Sequence, residues 1–467
     1  MSKTFRPYQP DQGFLMPVSM RDWLPDDHLV FFLSEVVDQL DLSVIMRRYT
    51  REERGYPPYH PVMMVKVLLY AYCVGIPSSR KIAKRLEEDV AFRILAANNT
   101  PDFRTISDFR QDHLRALAGL FVQVLRVCQE AGLVKLGHVS LDGTKVKANA
   151  SKHKAMSYGR MKKDEDRLER EVKELLKRAQ EVDEEEDREY GSDKRGDELP
   201  RELAFRESRL KKIREAMEAL EEEARQEAEE SGSRKQKGPV VPDDKAQRNF
   251  TDPESHIMPS SGGRHFIQAY NAQAAVDSAN QVIVAAAVTN EPSDNRQAEP
   301  MMQVVQANTG QMPRQMSADA GYFSRAAVEN LTKLGIDVYM PPGQMRHGYF
   351  EPPAPRGRIP RGLSTADRMR RKLRTKKGRR CYALRKELPE PVFGQIKQGR
   401  GFRQFSLRGL DKVTGEWQLI CTGHNLLKLY RARQRGSAGV QEPALGTRSP
   451  GNRGTDNRAY GGPFWAA

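Results

Sequence analysis

The chain has 467 residues, room for about three domains and for a core that needs no covalent staples. Lysine and arginine number 77 against 62 aspartates and glutamates, a formal charge of +15 that suits a polyanionic partner or a basic, soluble surface, and composition leaves both open. Cys73, Cys128, Cys381 and Cys421 lie far apart, which excludes a close-spaced zinc site or a disulfide framework, and no apolar run is long enough to span a bilayer. The opening residues, MSKTFRPYQPDQGF, lack a signal-peptide core, so a cytoplasmic protein is expected.

Residues 1–135 read as mostly helical. The segment from Pro61 to Gly75 opens on a proline, is apolar nearly all round and stops at a glycine, which predicts a buried helix. Ser78 or Ser79 then starts a second helix with Ile82, Leu86, Val90 and Ile94 as its apolar stripe and Arg80, Lys81, Lys84 and Arg85 near its start. Two helices joined by a short turn, the second basic at its N-terminal end, fit either a helix-turn-helix reader of a DNA groove or a plain helical hairpin with a solvated face. A third helix is predicted from Ser107 to Gly132.

Strand text begins at LGHVSLDGTKVKANAS, where Asp142-Gly143 reads as the turn of a hairpin, and residues 136–160 form the first part of a second domain. Residues 161–249 are a charged helical insertion. Opposite charges stand four apart, and Leu168, Val172, Leu175 and Leu176 form a narrow seam of the coiled-coil type. YGSDKRGDELP separates its two helices.

From 250 to 432 the core resumes. FIQAYNAQAAVD, QVIVAAAVTN, the strand before Asp319 and IDVYMPP alternate with helices over about Arg296–Asn308 and from Ser324. That order predicts an α/β fold with a mixed sheet flanked by helices. Arg346–Arg435 is strongly basic, and the glycine-rich tail 433–467 reads as disordered.

Asp142, Asp319 and Glu390 each stand at an element end. Taken singly, a hairpin turn, a helix cap and a helix-dipole complement explain them. Together, within a mixed core in a basic surround, they are the hard oxygen ligands that a magnesium site requires.

The ordered motifs YHPVMMVKVLLYAYCVGIPSSRKIAKRLEEDVAFRILA, LDGTKVKANAS, DPESHIM, ADAGYFS and EPVFGQIKQGRGFRQFSLRGLDKVTGEWQLICTGHNLLKL resemble those of the insertion-sequence DDE transposases. The resemblance covers about residues 10–432. It implies an RNase H-like catalytic core, Asp142, Asp319 and Glu390 as the metal-binding triad, two Mg²⁺ ions, and cleavage and strand transfer of DNA by a homodimer. It makes Lys397 a phosphate contact, seven positions after Glu390 and so two helical turns along the same face. Tyr382, Arg385, Lys386 and Arg400 are further DNA-contacting residues on this reading, with Arg80 and Lys84 in the N-terminal domain. Lys386 stands where that group has arginine, Tyr382 is one residue farther from the glutamate than the usual spacing, and Pro389 interrupts any continuous helix from Tyr382 to Glu390. His424 and Asn425 read as core residues. The alternatives are a transposase that has lost catalysis and acts as a DNA-binding regulator, and an RNase H-like nuclease without strand transfer.

Overall fold

The computed structural model describes residues 19–49, 57–190, 201–230, 240–260, 265–343, 354, 355, 357, 360 and 362–436. The tail beyond 436 and the insertion's linker 191–200 lie outside the described residues, as do Arg356, Arg358 and Arg361 of the basic segment.

The N-terminal helices are α1 (Leu29–Gln39), α2 (Ser43–Tyr49), α3 (Pro61–Cys73), α4 (Ser79–Glu88), α5 (Val90–Leu95), α6 (Phe103–Asp112) and α7 (Leu114–Glu130). Helix α3, with proline in its first turn, is buried on nearly every side, as its all-round apolarity predicts. The expected single helix after Ser78 is instead two. Asp89 ends α4 and caps α5 by accepting the Ala91 amide at 2.9 Å, so Ile82 and Leu86 belong to one helix and Val90 and Ile94 to the next. The predicted helix 107–132 likewise breaks at His113, which joins α6 to α7 and is bonded to the Tyr49 hydroxyl at 3.0 Å.

Strand β1 (Val139–Lys147) runs unbroken through Asp142-Gly143. The expected hairpin turn is absent because β1 pairs along its whole length with one antiparallel partner, which holds residue 142 in extended backbone opposite Ala274. Next come β2 (Ala155–Ser157), α8 (Tyr158–Tyr190), α9 (Arg201–Glu230) and β3 (Gln247–Asn249). Together they form the charged insertion, with β2 and β3 paired at its base. Its two helices enclose a small core of their own, including Met161, Leu168, Ile213 and Leu220. Cross-helix ion pairs flank it: Arg206–Glu171 at 3.0 Å, Arg214–Glu165 at 2.7 Å and Arg214–Glu169 at 3.1 Å. Val172 is buried but Leu176 is 44% exposed, so the apolar seam closes only along its inner half.

The rest of the sheet comprises β4 (His256–Pro259), β5 (Phe266–Asp277), β6 (Ile283–Thr289), β7 (Gln315–Ser317) and β8 (Asp337–Tyr339), with α10 (Ala298–Thr309) and α11 (Arg325–Lys333) in the crossovers. β5 joins β1 and β6 antiparallel, whereas β1–β7 and β7–β8 are parallel. The spatial order is thus β6-β5-β1-β7-β8, with β4 beside the start of β5. The predicted mixed sheet with flanking helices is what forms. Helices α12 (Thr365–Leu373), α13 (Lys376–Glu387) and α14 (Pro389–Gly394) follow, and then the long α15 (Leu410–Gln434).

Helix α15 lies between α3 and α7 on one side and β6 on the other, so the core runs without interruption from Val30 of α1 through the sheet to Leu429. Asn425 completes the edge of β6 by accepting the Ile283 amide and donating to the Ile283 carbonyl, both at 2.9 Å. His424 is buried, with its Nε2 3.0 Å from the Gln281 carbonyl. The DPESHIM segment holds the start of α15: Asp252 accepts the Gly409 amide at 3.1 Å and Glu254 that of Leu410 at 2.6 Å.

At Gly75 the chain turns with φ +80°, and a Cβ there would stand 2.3 Å from the carbonyl oxygen of Arg400. Both features demand glycine. Gly75→Ala is expected to cost about 1–3 kcal/mol through conformation alone, with the overlap adding to it. Urea unfolding of the variant measures this, and an unchanged midpoint would refute the packing.

Candidate active site

The site is built on an interruption in the sheet. Strand β1 pairs with β7 only at Val139 and Ser140, and next meets a neighbour on that side at Lys147, which bridges to Gln404. Between these points the edge of β1 is open, and side chains satisfy its backbone. The Asp142 carboxylate accepts the Gly143 amide at 2.9 Å. The Lys397 ammonium donates to the Lys145 carbonyl at 2.7 Å and to the Thr144 hydroxyl.

Asp319 arrives at the same gap because it follows the end of β7, where it caps a short 3₁₀ turn by accepting the Gly321 amide at 2.8 Å. Burial pushes the Asp142 carboxyl up to about 7, and the charge of Asp319 adds to that shift. Arg385, on α13, acts in the opposite sense on Asp142 and stands 3.9 Å from Glu390. Its Nε is buried without an acceptor among the described residues. Tyr382 is half-buried beside Arg385, at 5.8 Å from ring centre to guanidinium, and burial raises its hydroxyl.

Glu390 occupies the first turn of α14, where Pro389 fits N1 and breaks from α13, as its position in the sequence predicts. Its side chain is 53% exposed. A π-helical turn, Gln395–Gly399, follows at once and carries Lys397. That turn rotates Lys397 off the face of Glu390, so the expected two regular turns between them do not exist. Burial lowers the Lys397 ammonium to about 8, with the neighbouring Lys145 charge as the second cause.

Arg400 differs from its expectation as a DNA contact. Its guanidinium is directed inward, donating to the carbonyls of Ile420 at 3.0 Å and Tyr72 at 3.3 Å. It ties α15 to α3 by bridging one carbonyl of each helix. Lys386 is exposed on α13. Arg80 and Lys84 are far along the chain on α4; Arg80 lies over the Phe103 ring at 5.2 Å and Lys84 pairs with Glu88 at 3.5 Å.

Two residues at the gap escaped the sequence reading. Asp294, in the turn-like NEPSDN loop, accepts Asn271 at 2.6 Å and Gln273 at 2.7 Å on its Oδ1. It fits there because Gly143 and Gly321 leave room, a Cβ on the former standing 2.9 Å from Asp294 Oδ1. Lys145 donates to the Pro292 carbonyl at 2.8 Å and stands 3.8 Å from Asp294. The signal was the pair of amides Asn271 and Gln273, on one face of a buried strand and two residues apart.

The donors around the gap are oxygens, the set that suits a hard divalent cation. Among the described residues no three acidic, histidine or cysteine side chains already stand close enough to hold one. The desolvated Asp142 carboxylate with the Asp319 charge beside it fits such an ion electrostatically, and exposed Glu390 is the carboxylate that has freedom to join them.

Residues 18–112 match a family model described as a transposase domain, and residues 360–430 match one described as a transposase DDE domain. No curated protein and no solved structure matches the chain. The two matches define a transposase, and the second covers Glu390 and Lys397. Both matched segments support an insertion-sequence DDE transposase. No helix among the described residues is long and apolar enough to cross a membrane.

Asp142 gives a pH prediction for the metal-free protein. Its carboxyl binds a proton more tightly folded than unfolded, so between about pH 4 and pH 7 the native state holds the extra proton and stability falls as pH rises. Asp142→Asn should flatten this slope and, in chelator, raise stability at pH 8 by more than about 1 kcal/mol. Denaturant unfolding across that range measures both; a steeper loss in the variant would contradict the burial.

Proposed function

We propose that the chain cleaves the ends of its own insertion element and joins them to target DNA, using Asp142, Asp319 and Glu390 as ligands of two magnesium ions. The observation that carries this reading is the meeting of Asp142 and Asp319 at the open edge of β1, with Arg385 standing between them and Glu390. The strand order β6-β5-β1-β7-β8, with two antiparallel pairings followed by two parallel ones, supports an RNase H-like core.

Bound there, the ions supply charge neutralisation at the phosphate and activation of the attacking oxygen. The protein's part is positional. Asp142 is fixed by the Gly143 amide and Asp319 by the Gly321 amide, so both carboxylates hold their places before DNA arrives. Arg385, with one buried N–H unpaired, keeps Glu390 near the pair and offers a donor to a phosphate oxygen. Water is the first nucleophile and the freed 3′-hydroxyl the second, so no covalent protein–DNA intermediate forms. Two ends require two such sites, hence a homodimer on DNA, working in the bacterial cytoplasm at the nucleoid. The N-terminal helices supply end recognition, with Arg80 and Lys84 on α4 and exposed Lys376, Lys386 and Arg380 on α13 as DNA-contacting cations.

Asp142→Asn, Asp319→Asn and Glu390→Gln should each abolish cutting of end-containing DNA while leaving end binding within a few-fold, because they remove ligands and not cations. Near-normal cutting by any one would remove it from the triad. Joining of pre-cut ends by the native chain separates a transposase from a nuclease, which only cuts, and from a regulator, which does neither.

Recognition by α4 is tested separately. A bidentate arginine–guanine contact is worth about 1–3 kcal/mol of discrimination and a phosphate contact none. Arg80→Ala should therefore lower the ratio of affinities for end DNA over scrambled DNA at fixed salt. Equal weakening of both would make Arg80 a backbone contact.

A further inference from the structure

We infer that the cleft between α4, α6 and the segment at Gln404 holds a nucleotide turned out of the DNA duplex, with Phe103 as the platform on which its base stacks; this rests on the reading of the chain as a DNA-processing enzyme. The cleft encloses about 770 Å³, within the roughly 300–1,000 Å³ of pockets that take a small ligand. That is room for a nucleotide and not for a duplex. Phe103 opens α6, lies outside the apolar core and leaves its ring 37% exposed. Asp102 fixes the turn beneath it by accepting the Thr105 amide at 2.7 Å. Over the ring lie the guanidinium groups of Arg80, at 5.2 Å, and Arg104, at 5.7 Å. Neither has a carboxylate or other acceptor among the described residues. An aromatic ring beside guanidinium planes is a surface on which any base can stack, and the two free charges suit the phosphates that flank it.

Two amide oxygens complete the cleft. Asn149 donates to the Ser406 carbonyl at 2.7 Å and Gln404 to the Ala148 carbonyl at 3.1 Å. Each amide is thus oriented through its nitrogen and keeps its oxygen without a donor among the described residues. Such acceptors match the N–H groups on the pairing edge of a base, which are free only once the base has left its partner. Arg110 adds a third guanidinium to the wall, held by the Pro77 carbonyl at 2.6 Å, with its buried Nε lacking an acceptor among the described residues. Against three arginines the lining has one acid, Asp108. Gln404 is also the residue at which the open edge of β1 closes, through its bridge to Lys147. The cleft therefore begins where the candidate active site ends, and the turned-out nucleotide belongs to DNA leaving that site.

The test compares binding of the full chain to two fluorescent duplexes of one sequence, one fully paired and one with a single unpaired adenosine at its centre. Ca²⁺ replaces Mg²⁺ so that nothing is cut. The native chain should bind the bulged duplex about five- to a hundredfold more tightly, the range set by one base stacked on an aromatic ring. Phe103→Leu keeps an apolar side chain without a π face and should bring that ratio close to one. Phe103→Trp should keep it. Both should unfold at the native temperature, because the ring is exposed. If the leucine variant unfolds early, Arg104→Gln gives the same reading from an exposed position and should also lower the ratio. Equal affinity of the native chain for both duplexes overturns the assignment. So does a native ratio in Phe103→Leu, which would trace the preference to the pliancy of bulged DNA or to phosphate contacts alone. A native chain that binds neither duplex refutes the DNA-processing reading itself, an outcome distinct from equal binding of both.

Discussion

Everything at the candidate site follows from β1 losing its parallel neighbour after Ser140. A strand inside a sheet has its amides and carbonyls paired on both sides; here one side is open until Lys147 meets Gln404. Unpaired backbone in a partly buried place must find other partners. It takes them from the side chains of Asp142 and Lys397, the latter also donating to the Thr144 hydroxyl, and this recruitment is what gathers polar and charged groups in the middle of an apolar sheet. Asp319 reaches the gap because β7 is short, and Asp294 because two glycines, 143 and 321, leave space for it.

The width of that gap is set from a distance. Its far side is the segment around Gln404, and that segment is fixed by α15: buried Glu416 accepts the amides of Ser406 and Leu407 at 2.9–3.0 Å. Helix α15 is itself held to α3 by Arg400 and to β6 by Asn425. The N-terminal helices and the sheet therefore share one core through α15. A change in how α3 packs would be felt at the gap, so residues far from the carboxylates govern their spacing.

Most helices, the succession of strands and helices along the chain and the charged insertion were legible in the sequence because their apolar periods are regular. Boundaries were less so. Asp89 and His113 split helices whose stripes read as continuous, since a capping side chain and a change of packing partner leave the period intact across the break. Asp142-Gly143 read as a turn because local pairing rules know nothing of β5, whose register holds the dipeptide extended. The three carboxylates were recognisable as a set only through their ordered motifs. Asp294 had no such mark, since an aspartate in a loop bearing asparagine and proline reads as turn chemistry. The roles of Arg400 and Lys397 depend on partners more than two hundred residues away in one direction of the chain, Tyr72 and Thr144, which no local pattern displays.

Charge is distributed in a way that narrows where DNA can lie. The insertion is rich in arginine, but Arg206 and Arg214 are paired with Glu171, Glu165 and Glu169 across its two helices. Its cations are thus largely neutralised within the arm, and a polyanion gains little by approaching it. On the catalytic side Lys372 and Lys377 are drawn to Asp337, whereas Lys376 and Arg380 stand exposed on α13, the helix that carries Arg385 toward the carboxylates. On the helical side Arg80 and Arg104 both lie over exposed Phe103, which fixes two guanidinium groups beside a cleft of about 770 Å³ that reaches Asn149 and Gln404. Asn149 is seven residues beyond Asp142 along the run of β1, roughly 20 Å at strand rise. A duplex lying along that edge would meet the carboxylates at one end and the paired arginines about six base steps away, at a rise of about 3.4 Å each. On the proposed function, cutting and reading would share one continuous core, and the distance between scissile phosphate and recognised bases would be a property of the fold and not of a linker.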